Sequence, residues 1–171
     1  FDITVHSENY TPSTISGIQL SSEAHTLFFQ HSGININLSG FLKGYALESI
    51  RELLQLYGIE DALVNMGNSS ILALGHHPLA TGWRIGFEQG VVSNKGEKQE
   101  VLLKNECLTV SGNDSLERKH IIAAYSGKLI EGKWMVAVVT ESGAVGEILS
   151  TAWFAADTYQ QKLLEMEFHP R

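Results

Sequence analysis

The chain has 171 residues, 43% of them apolar and 18% charged, with a formal net charge of -7. That length suits one domain with a real core, and an acidic balance with no basic cluster argues against nucleic acid or an anionic membrane as the main partner. The single cysteine, Cys107, excludes an intrachain disulfide and reads as a small buried hydrophobe. No apolar run is long enough to span a bilayer.

The opening Phe1-Asp2-Ile3-Thr4-Val5 has neither an initiator Met nor a signal peptide, which predicts the remainder of a longer precursor from which a targeting segment has been removed. Residues 1–33 are a polar, turn-rich lead-in around Pro12, with a hairpin predicted through 18–20 and 26–29. The core is predicted over 34–171, within a single domain spanning 1–171. A strand over 34–38 feeds a helix over 43–57, in which Ala46, Leu47, Ile50, Leu53, Leu54 and Tyr57 form an apolar stripe and Gly58 ends the run. Further strands are predicted at 62–66, 83–88, 100–104, 106–110, 119–124 and 133–140, with a loop through Gly90, Asn94 and Gly96. A second long helix is predicted over 145–166, with Ile148, Leu149, Ala152, Trp153, Ala156 and Tyr159 inward. The class is α+β: mixed, largely antiparallel sheets with two long helices. GxGxxG, Walker, CxxC and HExxH patterns are all missing from the sequence.

The stretch Asn37-Leu38-Ser39-Gly40-Phe41-Leu42-Lys43-Gly44-Tyr45-Ala46 carries the first chemical signal. A Ser-Gly turn opens a helix with a lysine in its first turn, where unpaired backbone N–H groups already favour an anion. Nucleotide phosphate is one reading of Lys43, and a solvated helix residue is the other. Gly-containing turns also follow strands at Asn65-Met66-Gly67-Asn68-Ser69, at Val110-Ser111-Gly112-Asn113 and at Tyr125-Ser126-Gly127. Each alone is ordinary turn chemistry; together they predict the wall of one pocket. Glu147, expected in the first turn of the second helix, either complements the helix dipole or binds a hard cation with the Thr151 hydroxyl one turn on.

Motifs in order along nearly the whole chain resemble those of the FAD:protein FMN transferases, the ApbE family, also called thiamine biosynthesis lipoproteins. Phe1-Asp2-Ile3-Thr4-Val5 resembles Phe-Asp-Pro-Thr-Val, and the Asn37–Ala46 stretch resembles Asp-Leu-Gly-Gly-Ile-Ala-Lys-Gly-Tyr-Ala. Ala62-Leu63-Val64-Asn65-Met66-Gly67-Asn68 is similar to Ala-Leu-Val-Asn-Leu-Gly-Gly, and Trp83-Arg84-Ile85-Gly86 to Trp-x-Ile-Gly. Val110-Ser111-Gly112-Asn113 resembles Thr-Ser-Gly-Asp. His120-Ile121-Ile122-Ala123-Ala124-Tyr125-Ser126-Gly127 resembles His-Ile-Ile-Asp-Pro-x-Thr-Gly. Gly146-Glu147-Ile148-Leu149-Ser150-Thr151-Ala152 resembles Ala-Asp-Ala-Leu-Ser-Thr-Ala.

The resemblance implies an ApbE-like fold without its N-terminal part and a magnesium-dependent enzyme. That enzyme would move FMN from FAD onto a threonine hydroxyl of an acceptor protein, releasing AMP, in the bacterial cell envelope or periplasm. It implies Mg²⁺ held by the Gly40 carbonyl, Glu147 and Thr151, with Ser150 beside them. It implies FAD contacts from Asn37, Lys43, Ser111, Gly112 and the backbone of Ile121, and His120 as general base. Asn37, Asn113 and Ala123 stand where the family has aspartates, and Glu147 replaces another. These changes predict weak metal binding and slow transfer, since Mg²⁺ gives up its water reluctantly. A non-catalytic flavin-binding member of the same family and an unrelated α+β interaction protein are the alternatives.

Overall fold

The fold is built around β4 (Ser70–Leu74), whose residues are all buried. In the computed structural model, residues 17–32, 34, 36–86, 100–113, 120–123, 126–131 and 135–168 are described. The Phe1–Val5 motif, the predicted loop at 90–96, residues 87–88, 119, 124 and 133–134 of the predicted strands, and Tyr125 lie outside them. β3 (Ala62–Met66), β4, β7 (Glu106–Gly112) and β8 (Met135–Thr140) form an antiparallel sheet in the order β3-β4-β7-β8. Ser70 pairs with Met66 on one side and Thr109 on the other.

Alternation along β4 and β7 divides the core into two layers. Ile71, Ala73, Leu108 and Val139 face one way and pack with Leu103 beneath a second antiparallel pair, β5 (Trp83–Gly86) and β6 (Glu100–Leu103). The indole of Trp83 donates to the Leu74 carbonyl at 2.7 Å and ties that pair to β4. Leu72, Leu74 and Cys107 face the other way, against Leu47 of α1 (Ser39–Leu56), with Ile50 and Leu54 alongside. The predicted stripe is narrower than expected, because Leu53 and Tyr57 are exposed. Gly58 sits at φ +70, and the Gly58 and Ile59 amides return to the carbonyls of Gln55 and Leu54, closing α1 by a left-handed cap.

The predicted hairpin is present as β1 (Ile18–Ser21) and β2 (Thr26–Phe29). Several expectations are corrected. Residues 36–38 form no strand, and α1 starts at Ser39 rather than 43. β4 was missing from the sequence reading. Of the strand expected at 119–124, the described residues keep one bridge, Ile122 to Leu129. The long second helix is two helices, α2 (Gly143–Ala155) and α3 (Thr158–Phe168). Asp157 divides them: its carboxylate accepts from the Tyr159 and Gln160 amides, and the Gln160 side chain accepts from the Asp157 amide. That reciprocal pair starts a new helix. The expected inward face holds only in part. Leu149 is buried as predicted, but Ile148 of α2 and Tyr159 of α3 are exposed, and the buried face of α2 also includes Gly143, Gly146, Glu147, Ser150 and Phe154.

α1 and α2 cross at two glycines. A Cβ on Gly44 would stand 2.2 Å from the Gly143 carbonyl oxygen and 2.7 Å from Glu147 Cγ. Only the missing side chain allows so close an approach, and it brings the two helices that carry the candidate charges to one end of the sheet.

Candidate active site

At that end a cleft of about 1290 Å³ opens between the helices, the β3–β4 turn, the end of β7 and β5. Such a volume is at or above the upper end of the range of ordinary small-molecule sites. Its lining contains Gly40, Lys43, Ser111, Gly112, His120, Ile121, Glu147 and Thr151. Two predicted residues are not brought to it. Asn37 is exposed, and its side-chain oxygen accepts from the Ser39 amide at 2.9 Å, ordering the entry to α1. Ser150 is fully buried between α2 and β7, sharing a hydroxyl contact of 2.8 Å with Ser111.

The turn reading is corrected in part. The α1 start, the β3–β4 turn and the end of β7 all line the cleft, but Ser126 lines a separate, smaller hollow of about 360 Å³ with Ala123 and Phe154. Ser111 and Gly112 belong to β7 itself and not to a turn after it.

Both charged residues singled out in the sequence sit in the second turn of their helices. Lys43 therefore lies one turn beyond the unpaired amides expected beside it, and its ammonium donates to the Ser69 hydroxyl. Glu147 lies in a helix opened by Ser142, whose hydroxyl accepts from the Val145 amide at 3.3 Å. The dipole explanation for Glu147 fails, since the effect fades within the first turn. Instead Glu147 is buried and accepts a hydrogen bond from the Ser70 hydroxyl. Consecutive residues at the head of β4 thus hold the cleft's ammonium and its carboxylate, one from each helix. The turn before them is shaped by Gly67 and Asn68, both at positive φ, and by an amide clasp between the Asn65 and Asn68 side chains at 2.9 Å.

The hydroxyl of Ser111 lies 2.8 Å from that of Ser150 and 2.9 Å from that of Thr151, which joins β7 to α2 at the cleft floor. His120 is exposed on the cleft wall, and Arg84 reaches its rim from β5, 3.6 Å from Glu100. Asn113, buried on the lining, donates to the Ile130 carbonyl at 3.1 Å and ties Ile130 to the end of β7. Of the three positions where a neutral residue was expected to replace an aspartate, Asn113 alone lines the cleft; Ala123 is buried, and its carbonyl accepts from the Gly127 amide. Ser70 and Arg84 were not among the expected site residues, and Ser69 was expected only as part of its turn.

The ApbE family profile matches residues 6–169. The chain belongs to the ApbE family. An FAD:protein FMN transferase of Rhodobacter capsulatus is 28% identical over 153 residues, covering 83% of this chain and 27% of its own length. One from Vibrio cholerae is 26% identical over 146 residues, covering 80% and 43%. The solved flavin transferase ApbE from Vibrio cholerae superposes with a TM-score of 0.77 at 21% identity, covering 92% of this chain and 51% of that one. The ApbE protein of Thermotoga maritima gives 0.75, also at 21% identity, covering 91% and 52%. This family member therefore spans about half the length of those solved relatives and less of the curated ones. It shares their α+β fold.

The donor set at the cleft suits a hard cation in kind. Glu147 supplies one carboxylate and Thr151 a hydroxyl, both lining the cleft, and Gly40 lies opposite on α1 with open space where a Cβ would stand. Gly44 leaves the room that the Glu147 Cγ fills. Among the described residues no cluster of three or more His, Cys, Asp or Glu is present, so one carboxylate carries the anionic charge.

Proposed function

We propose that this cleft transfers FMN from FAD to a threonine hydroxyl of an acceptor protein, assisted by Mg²⁺. The observation that supports this most is the convergence of Lys43, Ser111, Gly112, His120, Glu147 and Thr151 in one cleft of an ApbE fold. In the reaction the threonine oxygen bonds to the FMN phosphorus and the bond to the AMP phosphate breaks. AMP leaves with the bridging oxygen, and His120 takes the hydroxyl proton. Lys43 contacts the diphosphate, and the β7 end with the Ile121 backbone walls the flavin side. Glu147, Thr151 and the Gly40 carbonyl would hold the cation, which supplies neutralisation of charge on the phosphates. The same reading sets the reaction in the bacterial cell envelope.

A second reading, a flavin-binding member without turnover, draws on the single carboxylate of the donor set and on the burial of Ser150 beneath the cleft lining. Incubating the protein with FAD, Mg²⁺ and an acceptor peptide separates the two. Transfer gives AMP and a fluorescent peptide in equal amounts, lost in His120→Ala. Bound FAD with no AMP supports the second reading, and no FAD binding at all sinks both.

A further inference from the structure

Glu147 is 3% exposed and Ser70 is 0% exposed. A carboxylate that deep needs donors, because an unsatisfied buried charge is very costly. The hydroxyl of Ser70 meets Glu147 Oε1 across 77 residues of chain. The Ser70 backbone is fixed by strand pairing on both sides, with Met66 and Thr109. Glu147 in turn has its Cγ against the bare Cα of Gly44. The side chain is held near its root by α1 and at its tip by β4, and one face of it still lines the cleft.

We propose that Ser70 is a positioning residue: by holding Oε1 it fixes the direction in which Glu147 offers its other oxygen to a divalent cation in the cleft. The proposal rests on the reading of Glu147 as a cation ligand. The contact holds in one orientation a side chain whose length would otherwise leave it free. An aspartate at 147, one methylene shorter, is expected to fall short of the Ser70 hydroxyl.

The test is Mn²⁺ binding to the intact chain, followed by the loss of the free-ion paramagnetic signal, without any turnover. Ser70→Ala is expected to weaken Mn²⁺ binding about tenfold or more with secondary structure intact. Ser70→Thr, which keeps the hydroxyl, should stay within about threefold of wild type. In a Glu147→Asp background, adding Ser70→Ala should change the affinity by less than about twofold, since the contact is already gone. Unchanged affinity in Ser70→Ala overturns the proposal, as does an equal loss in both backgrounds or a loss in Ser70→Thr. Where Ser70→Ala does not fold, Ser70→Thr still decides the matter, because a loss of Mn²⁺ affinity with the hydroxyl retained overturns the proposal. If Glu147→Ala binds Mn²⁺ as wild type does, or wild type binds none, the ligand reading of Glu147 fails first and takes the positioning role with it.

Discussion

The helix-facing side of the central sheet carries two chemistries that meet between Ser70 and Leu72. Toward the far end, Leu72, Leu74 and Cys107 pack on Leu47. Toward the cleft, Ser70, Thr109 and Ser111 face the α2 residues Glu147 and Ser150. Burial does not distinguish the two ends: Leu72, Cys107, Ser70 and Thr109 are all 0% exposed. What differs is the return on burial. The apolar end gains roughly 25 cal/mol for each Å² removed from water, whereas a hydrogen bond in the polar end nets only about 1 kcal/mol. A seam that is equally dry and less stabilising is where a local rule yields to function.

Substitutions at the two ends should therefore separate stability from binding. Leu72→Ala is expected to cost about 2–5 kcal/mol in urea unfolding, with FAD affinity unchanged in the protein that remains folded. A loss of affinity there would join the two ends. Gly44→Ala should sit between them. Its Cβ meets the Gly143 carbonyl and Glu147, so overpacking of about 1–3 kcal/mol outweighs the better helix propensity of alanine. Unlike Leu72→Ala it should also weaken FAD and Mn²⁺ binding, read by titration calorimetry.

Lys43→Ala should do the reverse of Leu72→Ala. Its melting temperature stays near wild type, while FAD binding loses about 1–3 kcal/mol, the scale of a charge-assisted contact. An unchanged affinity would remove Lys43 from the ligand site. Ser111→Ala deletes the hydroxyl shared by Ser150 and Thr151 and is expected to cost about 0.5–1.5 kcal/mol. The smallest effect concerns pH at the apolar end. Burial pushes the Cys107 thiol up from its ordinary range, against the lowering effect of nearby Arg51. The folded thiol thus holds its proton more tightly than the unfolded one. Its contribution is complete below the unfolded thiol value of about 8.5 and is lost as pH rises beyond it. Cys107→Ala should flatten that decline in unfolding curves taken on either side of the window; an identical decline in the variant would assign it to other groups.

Sequence legibility followed the same division. α1 showed itself through Ala46, Leu47, Ile50 and Leu54 at helical spacing and through Gly58 beyond its end. β4 did not, because both its faces are covered; Ile71-Leu72-Ala73-Leu74 is then a short apolar run without alternation, which periodicity cannot assign. The break between α2 and α3 was present in the sequence as Asp157 followed three residues later by Gln160, a start signal inside an apolar stripe that masked it. Lys43, Ser111, Gly112, His120, Glu147 and Thr151, which line one cleft, were expected together because motif order carries them. The roles of Ser69 and Ser70 were not, since they lie in contacts across 26 and 77 residues, which no local pattern reports.

The crossing of α1 and α2 at Gly44 and Gly143 has a thermodynamic corollary. Lys43 and Glu147 stand on opposite helices at that contact, so a ligand engaging both is bound only while the helices touch. Ligand occupancy and helix contact then form one linked equilibrium. A ligand present at about one hundred times its dissociation constant stabilises the contacted state by about 2.7 kcal/mol. The same coupling sends information the other way: amide exchange along the buried turns of α1 should slow as FAD is added, reporting occupancy of the cleft from its supporting helix.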